Sequence, residues 1–184
     1  MDLMRLVRDD VAGSALATLG TAVLATVGMD AAMVVASRIA PAAFATDEIG
    51  LELIGRWVGG LLHGHLRHDA IVAEQAIVGE VAIGVTVHYL TGTILTVVYL
   101  EAMRRTGRKP RVASAAVYGL ATGALPLLGM YPAMGLGCCG RRSSDMRRLV
   151  SLMMCGHLAF GVGIGWWSEV LQRRSAQQIT TRRG

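Results

Sequence analysis

The sequence predicts an all-α integral membrane protein with four transmembrane helices and an amphipathic surface helix in the first outer loop. Apolar residues make up 53% of the 184-residue chain, and charged residues make up 17%. This apolar excess is more than a core of this size can bury, so part of it must face lipid. The charges cluster at the ends of apolar runs, and the longest run, Val112 to Gly140, has none. A chain that keeps charge out of a bilayer shows this distribution.

Four segments are long enough to span a bilayer core about 30 Å thick, which needs about 20 helical residues. The predicted spans cover residues 11–37, 81–100, 112–137 and 149–170. We assign residues 1–172 to a single four-helix membrane domain. Residues 173–184 form a polar, basic tail.

The N-terminal run has a competing interpretation as a cleaved signal peptide. Arg5 and Arg8 precede the run, and Ala43-Phe44-Ala45 has the small-x-small form of a cleavage site. However, the run is longer than the apolar region of a signal peptide and contains Asp30. We therefore expect a retained first helix.

The loop at about residues 39–80 is predicted to contain the amphipathic helix. Thr46 is a candidate N-cap, and Asp47 and Glu48 would follow in the first turn. Its apolar face would consist of Ile49, Leu53, Trp57, Val58, Leu61 and Leu62. We expect this helix to lie on the membrane surface. A re-entrant hairpin is the alternative, but it would submerge Arg56 and Arg67 at high cost.

The distribution of positive charge predicts the orientation. Four spans put both termini on one side, together with the loop between spans two and three. Eleven basic residues lie on that side: Arg5, Arg8, Arg104, Arg105, Arg108, Lys109, Arg111, Arg173, Arg174, Arg182 and Arg183. Seven lie on the other: Arg38, Arg56, Arg67, Arg141, Arg142, Arg147 and Arg148. Because positive residues concentrate in the cytoplasm, both termini are predicted to be cytoplasmic.

Glycines spaced four or eight residues apart predict close contacts between helices, within the bundle or in a homo-oligomer. The candidate packing glycines are Gly84, Gly92, Gly119, Gly123, Gly161 and Gly165. The third span ends in Tyr131-Pro132-Ala133-Met134-Gly135-Leu136-Gly137, where proline and glycines predict a break in the helix. Irregular backbone at membrane depth is tolerated when it lines a cavity or is buried in protein.

Two intramembrane histidines, His88 and His157, are the strongest candidates for chemistry. Each lies on the same helical face as a glycine stripe, so both rings should point into the bundle. At 1.5 Å per residue, they lie about 10 Å and about 12 Å from the outer starts of their spans. Asp30 and Tyr131 fall about 28 Å from the cytoplasmic ends of theirs. With Tyr89, these residues predict a polar, outer-facing ligand or proton pocket.

Three chemistries compete for this pocket: a proton relay, coordination of a transition metal, and axial ligation of haem by the two imidazoles. Helices in contact at glycines leave little room for a macrocycle, which disfavours haem. A purely structural role, in which the polar groups hydrogen-bond across helices, is the alternative to all three. Spacing alone does not separate these cases.

A second cluster, His63, His65, His68 and Asp69, has the side chains of a transition-metal site. A His-x-His pair points both rings to one side only in an extended strand, and the intervening Arg67 opposes a cation. The cluster therefore favours a solvated loop over a tight metal site.

Other classes of function find little support. Cys138, Cys139 and Cys155 form no C-x-x-C pair and no disulfide framework. The sequence contains no G-x-S-x-G, S-x-x-K, H-E-x-x-H or glycine-rich phosphate loop, so hydrolase chemistry has no basis. Its basic residues flank apolar spans and are not interleaved with aromatics, which argues against nucleic-acid binding.

Several motifs resemble a bacterial inner-membrane family described only as a domain of unknown function. They are Gly55-Arg56, His68-Asp69, Gly79-Glu80, His88-Tyr89, Pro132-x-Met134-Gly135-x-Gly137, Ser151, His157 and Phe160-Gly161. The resemblance covers nearly the whole chain and implies a four-span inner-membrane protein with no established activity. Two features depart from it: Thr86-Val87, where relatives often carry a tryptophan, and the adjacent Cys138-Cys139.

These observations lead to three hypotheses of function. The first is a small transporter or proton-coupled membrane component, with a non-enzymatic role. The second is a membrane redox protein that binds haem or a metal. The third is a structural subunit of a larger membrane assembly, with the lipid bilayer and other helices as its partners.

Overall fold

The computed structural model describes the backbone of residues 3–183, and all of its regular elements in that range are helical. Four long elements form the bundle: α1 (Leu3–Ile39), α4 (Glu80–Arg105), α5 (Val112–Thr122) with its continuation to Ala133, and α7 (Met146–Arg183). Two short helices, α2 (Pro41–Phe44) and α3 (Leu51–Leu62), connect the first two spans, and α6 (Tyr131–Ala133) is the last turn of the third span.

The predicted all-α fold with four membrane-spanning helices is confirmed. Four helical segments are long and apolar enough to cross a membrane: Gly13–Ile39, Glu80–Arg105, Val112–Ala133 and Met146–Ser175. Large apolar side chains such as Leu16, Val98 and Val117 stay at least half exposed on these helices. Lipid or another apolar surface is the environment in which such exposure is favourable.

Spans that pack together run antiparallel, because residues later in one helix meet residues earlier in the other: along α1, Met33 lies against Gly156 of α7, whereas Ala25 lies against Gly163. Gly92 of α4 lies against Thr26 of α1, and Gly163 of α7 lies against Ala25 of α1. Gly119 of α5 lies against Gly161 of α7. We call the end that carries α3 and residues 134–145 the loop end, and the opposite end, with both termini, the tail end.

One apolar core cluster lies toward the tail end. Tyr99, Phe160 and Ile164 are buried there with two alanines of α1 and α5. The Tyr99 hydroxyl lies 2.7 Å from the Ser114 hydroxyl, and the Tyr118 hydroxyl donates to the Leu95 carbonyl at 2.8 Å. These two hydrogen bonds join α4 to α5 in the half of the bundle nearer the tail end.

The amphipathic helix begins later than predicted, so the assignment of Thr46 as its N-cap is wrong. The first residue of α3 is Leu51, and its N-cap is Gly50, without a side-chain hydrogen bond. The Thr46 hydroxyl instead accepts a bond from the Glu48 amide at 3.2 Å. A threonine hydroxyl can accept a hydrogen bond from a nearby amide in a turn as well as at a helix terminus, and Thr46 does so in a turn.

α3 packs tightly against the start of α4, with Gly55 and Gly84 at the contact. A Cβ on either glycine would collide with the carbonyl oxygen of Glu80 or Leu51. Farther along α3, Gly59 lies against Ile77. The pairing shows that α3 runs antiparallel to α4, with its first turn beside the second turn of α4.

The third span is distorted earlier than the sequence predicts. A π-helical turn occupies Pro126–Met130, before the expected break at Tyr131. Pro126 has no amide hydrogen to donate to the Thr122 carbonyl, which explains the wider turn. The helix then continues through α6 and ends at Ala133, four residues before the predicted boundary.

The end of the third span is joined to the loop that follows α3. The His68 amide donates to the Ala133 carbonyl at 2.7 Å, and the Ile71 amide donates to the Met134 carbonyl at 3.2 Å. Gly135 adopts φ +88° and lies against the Asp69 carbonyl. Since a side chain is strained in this conformation and would meet that carbonyl, the turn requires glycine.

Candidate functional site

A carboxylate and two aromatic side chains form a hydrogen-bonded group between α1 and α4. His88 Nε2 lies 2.9 Å from Asp30 Oδ1, and the Tyr89 hydroxyl donates to Asp30 Oδ2 at 3.0 Å. Both oxygens of the carboxylate therefore have a partner. The arrangement can hold a proton between a carboxylate and an imidazole.

The positions of these residues follow from helix geometry. Asp30 lies nine residues before the end of α1, and His88 lies eight residues after the start of α4, which place them about 14 Å and about 12 Å from the loop end. Because α1 and α4 are antiparallel, these depths match. All three residues lie on helices that are long and apolar enough to cross a membrane, about 12 to 14 Å from the loop ends of those helices.

The second histidine has a different partner. His157 of α7 is 9% exposed, and its Nδ1 lies 2.9 Å from the Thr122 hydroxyl of α5. That hydroxyl also donates to the Gly119 carbonyl at 2.6 Å, so its hydrogen is already used. Thr122 must then accept from His157, which requires a proton on Nδ1 and leaves Nε2 to act as an acceptor when the ring is neutral.

The two histidines belong to one layer of the bundle. Gly92 meets both Thr26 and Phe160, so α1, α4 and α7 share this level. About one helical turn toward the loop end lie Asp30, His88 and His157, one on each helix.

Tyr131 is fully buried, but the structure does not join it to these groups. It packs against Leu136, Leu149 and Met153, and its hydroxyl has no hydrogen-bond partner. The sequence predicted a position for Tyr131 near the loop end of the bundle, where the structure also has it. It did not show that apolar residues surround the ring.

A buried ion pair, which sequence reasoning missed, connects α3 to α4. Arg56 Nε and one terminal nitrogen donate to the Glu80 carboxylate at 2.9 and 3.0 Å. The other terminal nitrogen donates to the carbonyls of Ile71 and Glu74 at 2.9 and 2.7 Å. The Glu80 carboxylate raises the pKa of Arg56 above its usual value. Arg56 is 9% exposed and fastens the loop after α3 onto the bundle.

The family described as protein of unknown function (DUF2938) matches residues 18–171 of the chain. The match covers the second and third spans in full, most of the first and fourth, and every candidate site residue. The chain belongs to the DUF2938 family. The predicted resemblance to a family of unknown function is thereby confirmed. No curated protein and no solved structure matches the chain.

In this DUF2938 protein, four of the motifs that carry the resemblance meet at the loop end. Gly55-Arg56 contacts Gly79-Glu80 through the ion pair and the close backbone contact. His68-Asp69 contacts Met134-Gly135 through the backbone bonds to the third span. These motifs build the cap over the bundle. The resemblance named all four motifs, but it did not show that they meet.

The histidine tract after α3 does not assemble as a metal site. His63 Nδ1 lies 2.9 Å from the Gly59 carbonyl, and His68 Nδ1 lies 2.7 Å from the Glu74 carboxylate. His65 and Asp69 are exposed. Across the described part of the chain, no three His, Cys, Asp or Glu side chains lie close enough together to hold a metal ion.

The six candidate packing glycines all lie at contacts. Gly119, Gly161 and Gly165 join α5 to α7, and Gly92 joins α4 to α1 and α7. Gly84 contacts α3 instead of another span, and Gly123 lies near the sulfurs of Met153 and Met154. Two further glycines of α7, Gly156 and Gly163, face α1.

Proposed function

We propose that this DUF2938 protein is a small proton-coupled membrane component, such as a transporter, that binds protons at Asp30, His88 and Tyr89. The observation that supports this function is the pairing of a carboxylate with an imidazole across two helices, at membrane depth. Ionisable groups in this position are expensive, and they mark proton, ion or ligand pathways by default.

Proton binding at this group would change the attraction between α1 and α4. When Asp30 is ionised and His88 is protonated, the two side chains form an ion pair. Loss of one proton leaves a single negative charge, shared through hydrogen bonds with His88 and Tyr89. Charge interactions are stronger at low dielectric, so protonation would alter the packing of two helices.

Access to the group supports the same proposal. The exposed fraction of the Asp30 side chain is 34%, whereas that of the His88 side chain is 16%. A carboxylate at this depth faces the bundle interior or a water-filled cavity, since contact with lipid is unfavourable. The open side of Asp30 is the entry we propose for the proton or ligand.

The test is proton flux into liposomes that contain the purified protein and an internal pH-sensitive dye. After a pH gradient is imposed, the wild type should show flux that Asp30→Asn and His88→Gln abolish. Thr91→Ala is the matched control. Thr91 is exposed and lies one turn from His88 on α4, so this variant should retain the flux. Equal flux from the wild type and Asp30→Asn would refute the proposal.

The alternative, a redox protein that binds haem or a metal, rests on the shared layer of His88 and His157. A visible absorption spectrum and elemental analysis of the wild type and the His88→Ala/His157→Ala variant separate the two functions. Haem or stoichiometric metal that disappears in the variant would favour a cofactor protein. A colourless, metal-free wild type would favour proton coupling or a role in assembly.

We also propose that both termini face the cytoplasm of a bacterial inner membrane. The excess of basic residues at the tail end supports this orientation. Labelling of single cysteines with a membrane-impermeant maleimide in intact cells tests it. A cysteine at Gly64 should react and one at Gly107 should not, and the reverse pattern would overturn the orientation.

A further inference from the structure

An open cavity lies at the tail end, where the loop between α4 and α5 joins two of the spans. Its volume is about 390 Å³, and it is lined by Met103, Arg108, Lys109, Arg111 and Ser114. Three of these five side chains are cationic and none is acidic. We call Arg108, Lys109 and Arg111 the cavity cations. A cavity with this lining suits an anion.

The cavity cations differ from other arginines at the same end of the bundle. Arg104 and Arg105 each pair with the Glu101 carboxylate at 2.7 Å, and Arg173 lies 3.4 Å from the Glu169 carboxylate. None of the ion pairs in the described part of the chain involves a cavity cation. Their charges are therefore available to a ligand.

The backbone of this loop is held at both ends. At the end of α4, Gly107 adopts φ +64° and the Arg108 amide donates to the Met103 carbonyl at 3.0 Å, which is the bond pattern of a Schellman cap. At the other end, the Gln172 side chain of α7 donates to the Pro110 carbonyl at 3.2 Å. The loop is ordered without a ligand, so binding would cost little backbone entropy.

The surface next to the cavity is apolar. Val117 follows Ser114 by three residues on α5, so the two lie on one face, and Val117 is 69% exposed. Because the cavity joins the ends of two spans, it would lie where a bilayer has its headgroups, with Val117 about one turn deeper. Positive charge above an exposed apolar surface matches a phospholipid, whereas a free phosphate would contact only the charges.

We propose that this cavity binds the phosphate headgroup of an anionic phospholipid. Arginine suits this ligand because its planar guanidinium donates two parallel hydrogen bonds to phosphate oxygens, and lysine adds a compact charge. Basic pockets between membrane helices on the cytoplasmic side recognise anionic headgroups in this way. The bound lipid would hold α4 and α5 together at the tail end. The site does not involve Asp30 or His88, so it goes beyond the proton-binding group.

The charges of the cavity predict both selectivity and magnitude. Phosphatidylcholine has the same phosphate as phosphatidylglycerol but adds a choline cation, which the cavity cations would repel. Each lysine or arginine near an anionic lipid surface strengthens binding by about fivefold. Loss of one cavity cation should therefore weaken binding of phosphatidylglycerol by about fivefold, and loss of all three by about two orders of magnitude.

The experiment is native mass spectrometry of the full-length, detergent-purified protein, titrated with phosphatidylglycerol or with phosphatidylcholine of the same acyl chains. The wild type should bind one phosphatidylglycerol more tightly than it binds phosphatidylcholine. Arg108→Gln and Arg111→Gln should each weaken this binding by about fivefold. Arg105→Gln is the matched control: it removes the same charge from the same segment, but Arg105 pairs with Glu101 and does not line the cavity. This variant should bind as the wild type does.

Three results would overturn the proposal. Equal binding of the two lipids by the wild type would show that the cavity does not select a negative charge. Equal weakening in Arg105→Gln and Arg108→Gln would show a general attraction to the basic surface. Displacement of phosphatidylglycerol by an equal concentration of inorganic phosphate would show a site for a soluble anion. Retention of the lipid in the presence of that phosphate would support the lipid site.

Discussion

Replacement of Gly161 with alanine tests the close contact between α5 and α7. A Cβ on Gly161 would lie 2.9 Å from the Ala116 Cα and closer still to the Ala115 carbonyl oxygen. Both neighbours are backbone atoms of α5, so relief requires the two helices to separate. Gly161→Ala should therefore lower the free energy of unfolding, since overpacking costs about 1 to 3 kcal/mol.

The magnitude needs a control, because alanine also favours the helix by about 1 kcal/mol relative to glycine. Gly28→Ala is the matched variant: Gly28 lies in α1, and a Cβ there would meet nothing within 4 Å. Its free energy of unfolding should rise slightly. The propensity gain cancels between the variants, so their difference should be about 1 to 3 kcal/mol.

The assay is reversible unfolding in mixed micelles with increasing sodium dodecyl sulfate, followed by tryptophan fluorescence. Proton flux of the same variants gives a second measurement, because the Thr122–His157 bond lies one turn from Gly161. Equal stability of Gly161→Ala and Gly28→Ala would refute the reasoning. It would mean that α5 and α7 separate at no cost, and that this contact does not position His157.

Three further predictions concern the loop end. Tyr131→Phe should leave thermal stability unchanged or raise it, because a buried hydroxyl without a partner costs about 1 to 3 kcal/mol; a fall in melting temperature would show that the hydroxyl has a partner. Arg56→Lys should expose the loop at residues 63–79 to protease, since lysine cannot reproduce the paired contacts with Glu80 and two carbonyls; an unchanged rate of cleavage would contradict this. Because the pKa of Cys139 is raised, a smaller fraction of it is thiolate at pH 8 than in a free cysteine, so iodoacetamide should modify it slowly. Mass spectrometry should show faster modification of Cys139 in Cys138→Ser, and an unchanged rate would contradict the effect of the Cys138 thiol on the pKa of Cys139.

The four spans were predictable because they depend on the length and apolar content of each segment. Both properties are read directly from residues such as those between Val81 and Leu100. The helix ends were less predictable. The π-helical turn starts at Pro126 and not at Pro132, although both prolines lack the amide donor, so a proline alone does not locate the distortion.

The candidate site was predictable in depth but not in partners. Helix arithmetic puts Asp30 and His88 at one level, yet it does not show that they share a hydrogen bond while Tyr131 points among apolar residues. Whether these groups bind a proton or ligand stays a prediction. Arg56 was not predictable from the sequence pattern. An arginine in an amphipathic helix is expected to face solvent, and only the fold shows that the Glu80 carboxylate lies beside it.

The two longest helices give the protein a mechanical property. α1 has 37 residues and α7 has 38, which makes each about 56 Å long at 1.5 Å per residue. A bilayer core accounts for about 30 Å of this length, so both rods project beyond it at the tail end. A continuous helix resists bending. A tilt of either rod at the level of Asp30 or His157 would therefore swing its far end through a larger arc, and the tail end would amplify small motions of the polar layer.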